Sequence, residues 1–202
     1  MATQAGSTED EDFPGLAALV LPSGEVARLP DWRAGSLIAE VAADVTVEPI
    51  REAARCLVVD TAGRTLLVRY ADTSIGSSWW FPPGGGLDSG EDHLAAIRRE
   101  LREELARDDL TVGPWIGRRC HTFWLGKWMT QRELWVLCRT EPFDVDPLHV
   151  SSLAVEGVQE MRWWSAEELR STDAVTSPRD LAALLDRIAV GDLPDSDEDL
   201  GV

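Results

Sequence analysis

Three glutamates, Glu100, Glu103 and Glu104, stand at i, i+3 and i+4 in the stretch HLAAIRRELREEL. At 3.6 residues per turn this spacing lays all three carboxylates along one side of a helix. Like charges at i and i+4 repel, so helix propensity gives no reason for them. A hard divalent cation does, because Mg2+ and Mn2+ take oxygen ligands. Arg98, Arg99 and Arg102 lie close enough to soften the repulsion, and a solvated charged face is the competing reading of the glutamates alone. Upstream, Gly84, Gly85 and Gly86 free the backbone to turn tightly and to approach the helix. A Gly-rich turn feeding a helix is also a possible phosphate cradle. Its spacing fits neither G-x-G-x-x-G nor G-x-x-x-x-G-K-[ST].

The helix needs an apolar face to hold those carboxylates in place. Leu94, Ile97, Leu101 and Leu105 form one, and the glutamates, with Ala96 and His93, are expected beside that face rather than at its centre. Ser89 is the expected N-cap, with Asp92 in the capping-box position, and the helix is expected to end near Leu105. Before it, Arg51–Asp60 and Thr65–Tyr70 are predicted strands about a turn on Gly63, followed by a loop over 71–78. Trp79–Phe81 leads into Pro82-Pro83-Gly84-Gly85-Gly86, where no regular element is expected to continue. After it, Ile116–Leu125, Thr130–Thr140 and Glu160–Trp164 are predicted strands. Ser165 and Glu168 form a capping box for a short helix. Ser177-Pro178 is expected to open the last helix, whose apolar stripe is Leu181, Leu184, Leu185 and Ile188 and whose stop is Gly191. This order predicts an α/β (α+β) domain, a mixed, largely antiparallel sheet with helices on both faces.

The flanks differ in composition. Residues 1–12 are expected to be a disordered acidic tail. Residues 13–48 form an N-terminal extension, with a hairpin about Pro22-Ser23-Gly24, a short helix around Leu37–Ala43 and a possible role in a homodimer. The main domain is expected over 49–191, and 192–202 is an acidic C-terminal tail. The formal charge of −17 argues against a nucleic-acid polymer as the partner, since a phosphate backbone needs a basic surface. It leaves a small phosphate ligand open, because metal ions can bridge an acidic site and an anion. No C-x-x-C pair exists among Cys56, Cys120 and Cys138, so neither a disulfide scaffold nor a zinc site is expected. No apolar run reaches membrane-spanning length, no basic signal-peptide region opens the chain, and a cytoplasmic protein is expected.

The spacing Gly85-x5-Glu91-x7-Arg99-Glu100-Leu101-x-Glu103-Glu104 resembles the Nudix box, G-x5-E-x7-R-E-U-x-E-E-x-G-U with U apolar. Two positions depart: Ala106 stands where the box has Gly, and Arg107 where it has its last apolar residue. Ala106 would let the helix run on to Asp108 or Asp109, with Leu110 replacing the missing apolar contact. The resemblance implies the Nudix fold, an α/β/α sandwich. It also implies Mg2+- or Mn2+-dependent hydrolysis of a nucleoside diphosphate linked to another moiety. Glu103 and Glu104, with Glu100, become metal ligands; Arg99 pairs with Glu91 to hold loop and helix in register; Gly85 allows the tight turn. A Nudix-fold binding or regulatory module without catalysis is the alternative.

Outside the box, Glu156 and Glu160 are candidate proton acceptors, alongside the box glutamates. Trp115, Trp124, Trp128 and Trp135 could stack a base, although core packing is the commoner fate of a strand Trp. Arg69, Arg118, Arg119, Lys127 and Arg132 could hold phosphates. His93 lies on the glutamate side of the helix, and His121 and His149 show no triad or zinc spacing. Cys120 and Cys138 sit symmetrically about Met129 and are expected to face each other if the hairpin is in that register.

Overall fold

The computed structural model describes residues 19–20, 26–27, 50–72, 77–124 and 128–201. The chain divides into two units, 1–48 and 49–202. In the first, β1 (Leu19–Val20) pairs antiparallel with β2 (Val26–Ala27), as the Pro22-Ser23-Gly24 turn predicts. The tail over 1–12 and the helix expected around Leu37–Ala43 lie outside the described residues.

The second unit holds one seven-stranded sheet, ordered β5-β4-β3-β8-β7, with β6 on β3 and β9 on β4. The strands are β3 (Arg51–Asp60), β4 (Thr65–Asp72), β5 (Ser77–Phe81), β6 (Gly84–Gly86), β7 (Val112–Trp124), β8 (Trp128–Thr140) and β9 (Val158–Trp164). The helices are α1 (His93–Leu105), α2 (Pro147–Ser152), α3 (Ala166–Ser171) and α4 (Leu181–Ala189). Among the described strands only β3 and β8 pair in parallel, so the sheet is mixed and mostly antiparallel. β3 is therefore central, and its residues from Ala53 to Asp60 are all buried.

Alternation along β3 and β8 separates two cores. Ala54, Cys56, Val58, Val136 and Cys138 face α1 and meet Ile97, Leu101 and Leu105. Leu57, Val59, Trp135 and Leu137 face α4 and meet Leu181, Leu184, Leu185 and Ile188. Each large apolar side chain so buried contributes about 1.5–3 kcal/mol. The sheet between two helical layers is the expected α/β/α sandwich.

Several local expectations need correction. Gly84–Gly86 continues as strand β6, because three residues without side chains can lie flat against Ala53–Arg55. Asp92, not Ser89, caps α1: its side chain accepts from Ala95 N–H at 2.8 Å. Ala106 does not prolong the helix. It takes a left-handed conformation at φ 53, with its N–H on Arg102 O, while Arg107 N–H reaches Leu101 O at 3.1 Å. Arg107 then lies over the Phe143 ring and Leu110 packs on the core, contacts that draw the chain off the helix axis. The last helix starts at Leu181 after Asp180, three residues beyond the expected Pro178 start. Cys120 lies opposite Arg132, and Cys138 opposite Val112 on β7, so those thiols do not face each other; Cys138 instead hydrogen-bonds Cys56. The acidic stretch 192–201 is not a free tail: Pro194 is buried and Leu200 packs against the α4 core.

Candidate active site

α1 is anchored by its apolar face, and that anchoring sorts the three glutamates by depth. Glu104 is buried at 4% exposure, the Glu100 side chain is 14% exposed and that of Glu103 57%. Glu104 has donors waiting: Tyr70 O–H reaches it at 2.9 Å and Gly84 N–H at 2.8 Å. Burial first, and then the charge of Glu100, push its carboxyl up to about 7. Burial raises Glu100 as well, against the pull of Arg99. The Tyr70 hydroxyl is pushed up by burial and by Glu104 beside it.

Arg99 ties the box together. Its Nε and Nη2 hold Glu91 at 3.1 and 3.0 Å, a two-pronged contact that suits the planar guanidinium. Nη2 also reaches the Gly86 carbonyl at 2.9 Å. Nη1 holds Glu100 at 2.7 Å and Glu103 at 3.0 Å. The hydrogen bond to Glu91 raises the guanidinium and lowers the Glu91 carboxyl. Gly85 lies so close to Glu100 that a Cβ there would stand 2.2 Å from its Oε1.

Among the described residues, no three carboxylate, imidazole or thiol side chains converge on one point as they stand. Arg99 Nη1 takes the oxygens of Glu100 and Glu103 for itself. The donor set nevertheless fits Mg2+ or Mn2+: all oxygen, on one side of one helix, with a buried carboxylate whose charge a cation would offset.

The other candidates scatter. Glu156 is exposed at the end of a 3-10 turn, and Glu160 pairs with Arg69 at 3.3 Å. Trp135 is fully buried in the core, and Trp115 is half-buried with its ring edge-on to His93. The side chains of Trp124 and Trp128, and the whole of Lys127, lie outside the described residues. Arg132 pairs with Glu52 at 2.9 Å, Arg118 is exposed, and Arg119 is buried against Glu133. His93 stands 3.9 Å from Glu52, and His149 Nε2 lies 3.0 Å from the Glu104 carbonyl.

Tyr70, Arg55 and Glu133 were not among the sequence candidates. Arg55 bonds the Gly84 carbonyl and Glu133, and stacks on Phe81. Their signal was available. Tyr70 is the single tyrosine of the chain, and Arg55 and Glu133 are charges on the strand face that also carries the apolar Leu57, Val59, Trp135 and Leu137.

The sequence profile of the NUDIX domain matches residues 49–185. The chain belongs to the Nudix family. An RNA pyrophosphohydrolase of Novosphingobium aromaticivorans is 29% identical over 133 residues, covering 60% of this chain and 81% of that protein. The nucleoside triphosphatase NudI of an Enterobacter species is 31% identical over 124 residues, covering 58% and 84%. The MutT protein of Methanosarcina mazei Go1 shares the fold at a TM-score of 0.51 and 20% identity, covering 72% of this chain and 99% of its own. This Nudix chain is a pyrophosphohydrolase, a hydrolase of phosphoanhydride bonds. Among the described residues no helix is long and apolar enough to cross a membrane.

Proposed function

We propose that this Nudix hydrolase cleaves the pyrophosphate bond of a small nucleoside diphosphate derivative with Mg2+ or Mn2+, by attack of water on phosphorus. The observation that carries the reading is the Arg99 hub, which fixes Glu91, Glu100, Glu103 and the Gly86 carbonyl about one cation. A surface helix has no need of such a joint. Glu100, Glu103 and Glu104 would hold the metal. When bound, such a cation neutralises diphosphate oxygens and acidifies the attacking water. Glu91 and Arg99 hold the glycine strand against α1, and Tyr70 and Gly84 N–H orient Glu104. The water's proton passes to a carboxylate of this set. Glu160 is engaged by Arg69, and Glu156 lies exposed on its turn.

The charge of −17 favours a small nucleotide over a polymer. A second reading, removal of diphosphate from an RNA 5′ end, is favoured by the RNA pyrophosphohydrolase relative. Hydrolysis products should be resolved chromatographically, as the two phosphate-bearing fragments or as inorganic phosphate or diphosphate, with Mg2+ against nucleotide sugars, dinucleoside polyphosphates, NADH, ADP-ribose, oxidised nucleotides, nucleoside triphosphates and 5′-triphosphorylated RNA. Turnover of a small nucleotide well above that of the RNA is expected. Turnover of the RNA alone would replace the first reading with the second, and no turnover of any would favour a binding module.

A further inference from the structure

The glycine strand beside Glu104 is also held from the opposite side, by a chain of buried charges that ends outside the span matched by the family. Gly84 N–H donates to Glu104, and its carbonyl accepts from Arg55. Arg55 Nε donates to Glu133 at 3.1 Å, and Arg119 Nη1 reaches the other oxygen of Glu133 at 3.5 Å. Gln131 and Trp135 complete the carboxylate, at 2.8 and 2.9 Å. Arg119 is 4% exposed and needs acceptors of its own. Ser177 Oγ supplies one at 2.9 Å, and the backbone carbonyl of Gly201 the other at 2.7 Å.

Gly201 is brought there by a built seat. Arg118 N–H donates to Glu198 O at 2.8 Å and Leu200 N–H to Arg118 O at 2.9 Å, so the segment lies along β7. Gly117, at φ +139, leaves the room that Leu200 fills: a Cβ there would stand 2.7 Å from the Leu200 side chain. Arg187 at the end of α4 grips Glu198 and Asp192. The family profile ends at residue 185, before all of these contacts on the C-terminal side.

We propose that residues 197–201 act as a strap that positions the glycine strand β6 beside Glu104, through Arg119, Glu133 and Arg55 to the Gly84 peptide. Arg55, Glu133 and Arg119 are positioning residues; none is asked to touch substrate. The proposal rests on the metal reading given above. With the strap in place, Arg119 is held on Glu133, Glu133 holds Arg55, and the Gly84 peptide presents its N–H to Glu104. Without it, Arg119 Nε loses its acceptor, water reaches the buried charges, and the peptide is freed to drift from Glu104.

The test uses Mn2+ alone, followed by loss of the free-ion paramagnetic resonance signal, on three proteins: the full chain, a chain ending at Ser196, and Leu200→Asp. Thermal unfolding is recorded for each. The full chain should bind Mn2+, and both variants should bind about tenfold more weakly at a temperature where they remain folded. Equal affinity within twofold, whatever the change in melting temperature, would overturn the strap and leave the metal reading intact. Loss of cooperative unfolding in both variants would make the segment a part of global stability and also overturn it. A full chain that takes up no Mn2+ overturns the metal reading, and the strap with it.

Discussion

Adjacent glycines of the box should respond to the same substitution to different extents, because one meets a side chain and the other meets backbone. In Gly85→Ala the new Cβ meets Glu100 Oε1 at 2.2 Å and its Cδ at 2.8 Å, so the carboxylate must retreat by about 1 Å to reach ordinary contact. A flexible side chain can yield. The retreat breaks the 2.7 Å bond from Arg99, worth about 1–2 kcal/mol at a half-buried site. Alanine recovers about 0.4–1 kcal/mol through the unfolded chain. The net loss is about 1 kcal/mol, or roughly 2–4 °C of melting temperature for a domain of this size. A ligand misplaced by about 1 Å costs roughly 100-fold in turnover. In Gly84→Ala the Cβ meets Ala54 O at 2.2 Å and Arg55 Cα at 2.9 Å, backbone atoms of the central strand, at φ +135. Neither side can yield, and the cost is about 3 kcal/mol or more. Thermal unfolding and Mg2+-dependent turnover on both variants check this. A Gly85→Ala protein with full turnover, or one destabilised as much as Gly84→Ala, would refute the close packing of Gly85 on Glu100.

Ala106→Gly should raise stability by about 1 kcal/mol and leave turnover unchanged, since Ala106 pays for a left-handed conformation that Gly adopts freely; thermal unfolding reads this directly. Glu133 titrates near 2: burial alone would raise it, but Arg55, His121 and Arg119, with the Trp135 N–H, bring it down. Its contribution, about 3 kcal/mol, is complete above the ordinary carboxylate value and is lost as pH falls towards 2. The stability gap between wild type and Glu133→Gln, followed by denaturant titration, should therefore shrink below pH 4.5, and a gap independent of pH would contradict the ion-pair account.

The site was legible where spacing alone determines it. Glu100, Glu103 and Glu104 share a helix side by arithmetic, and β3 follows its apolar run from Arg51 to Asp60. What was not legible depends on partners remote in the chain. Three glycines carry no side-chain pattern, so β6 is visible only once β3 lies beside it. The burial of Glu104 needs Tyr70, 34 residues away. Ala106 ends the helix against its own preference because Arg107 and Leu110 find contacts off the axis. The acidic composition of 192–202 hid Pro194 and Leu200, which seat the segment on the domain.

The metal-holding role proposed for the α1 glutamates is tested by Mg2+-dependent turnover of Glu103→Gln and Glu104→Gln on the best substrate of the panel. Each variant should lose activity by orders of magnitude while unfolding cooperatively like the wild type. Unchanged turnover in both would contradict the assignment.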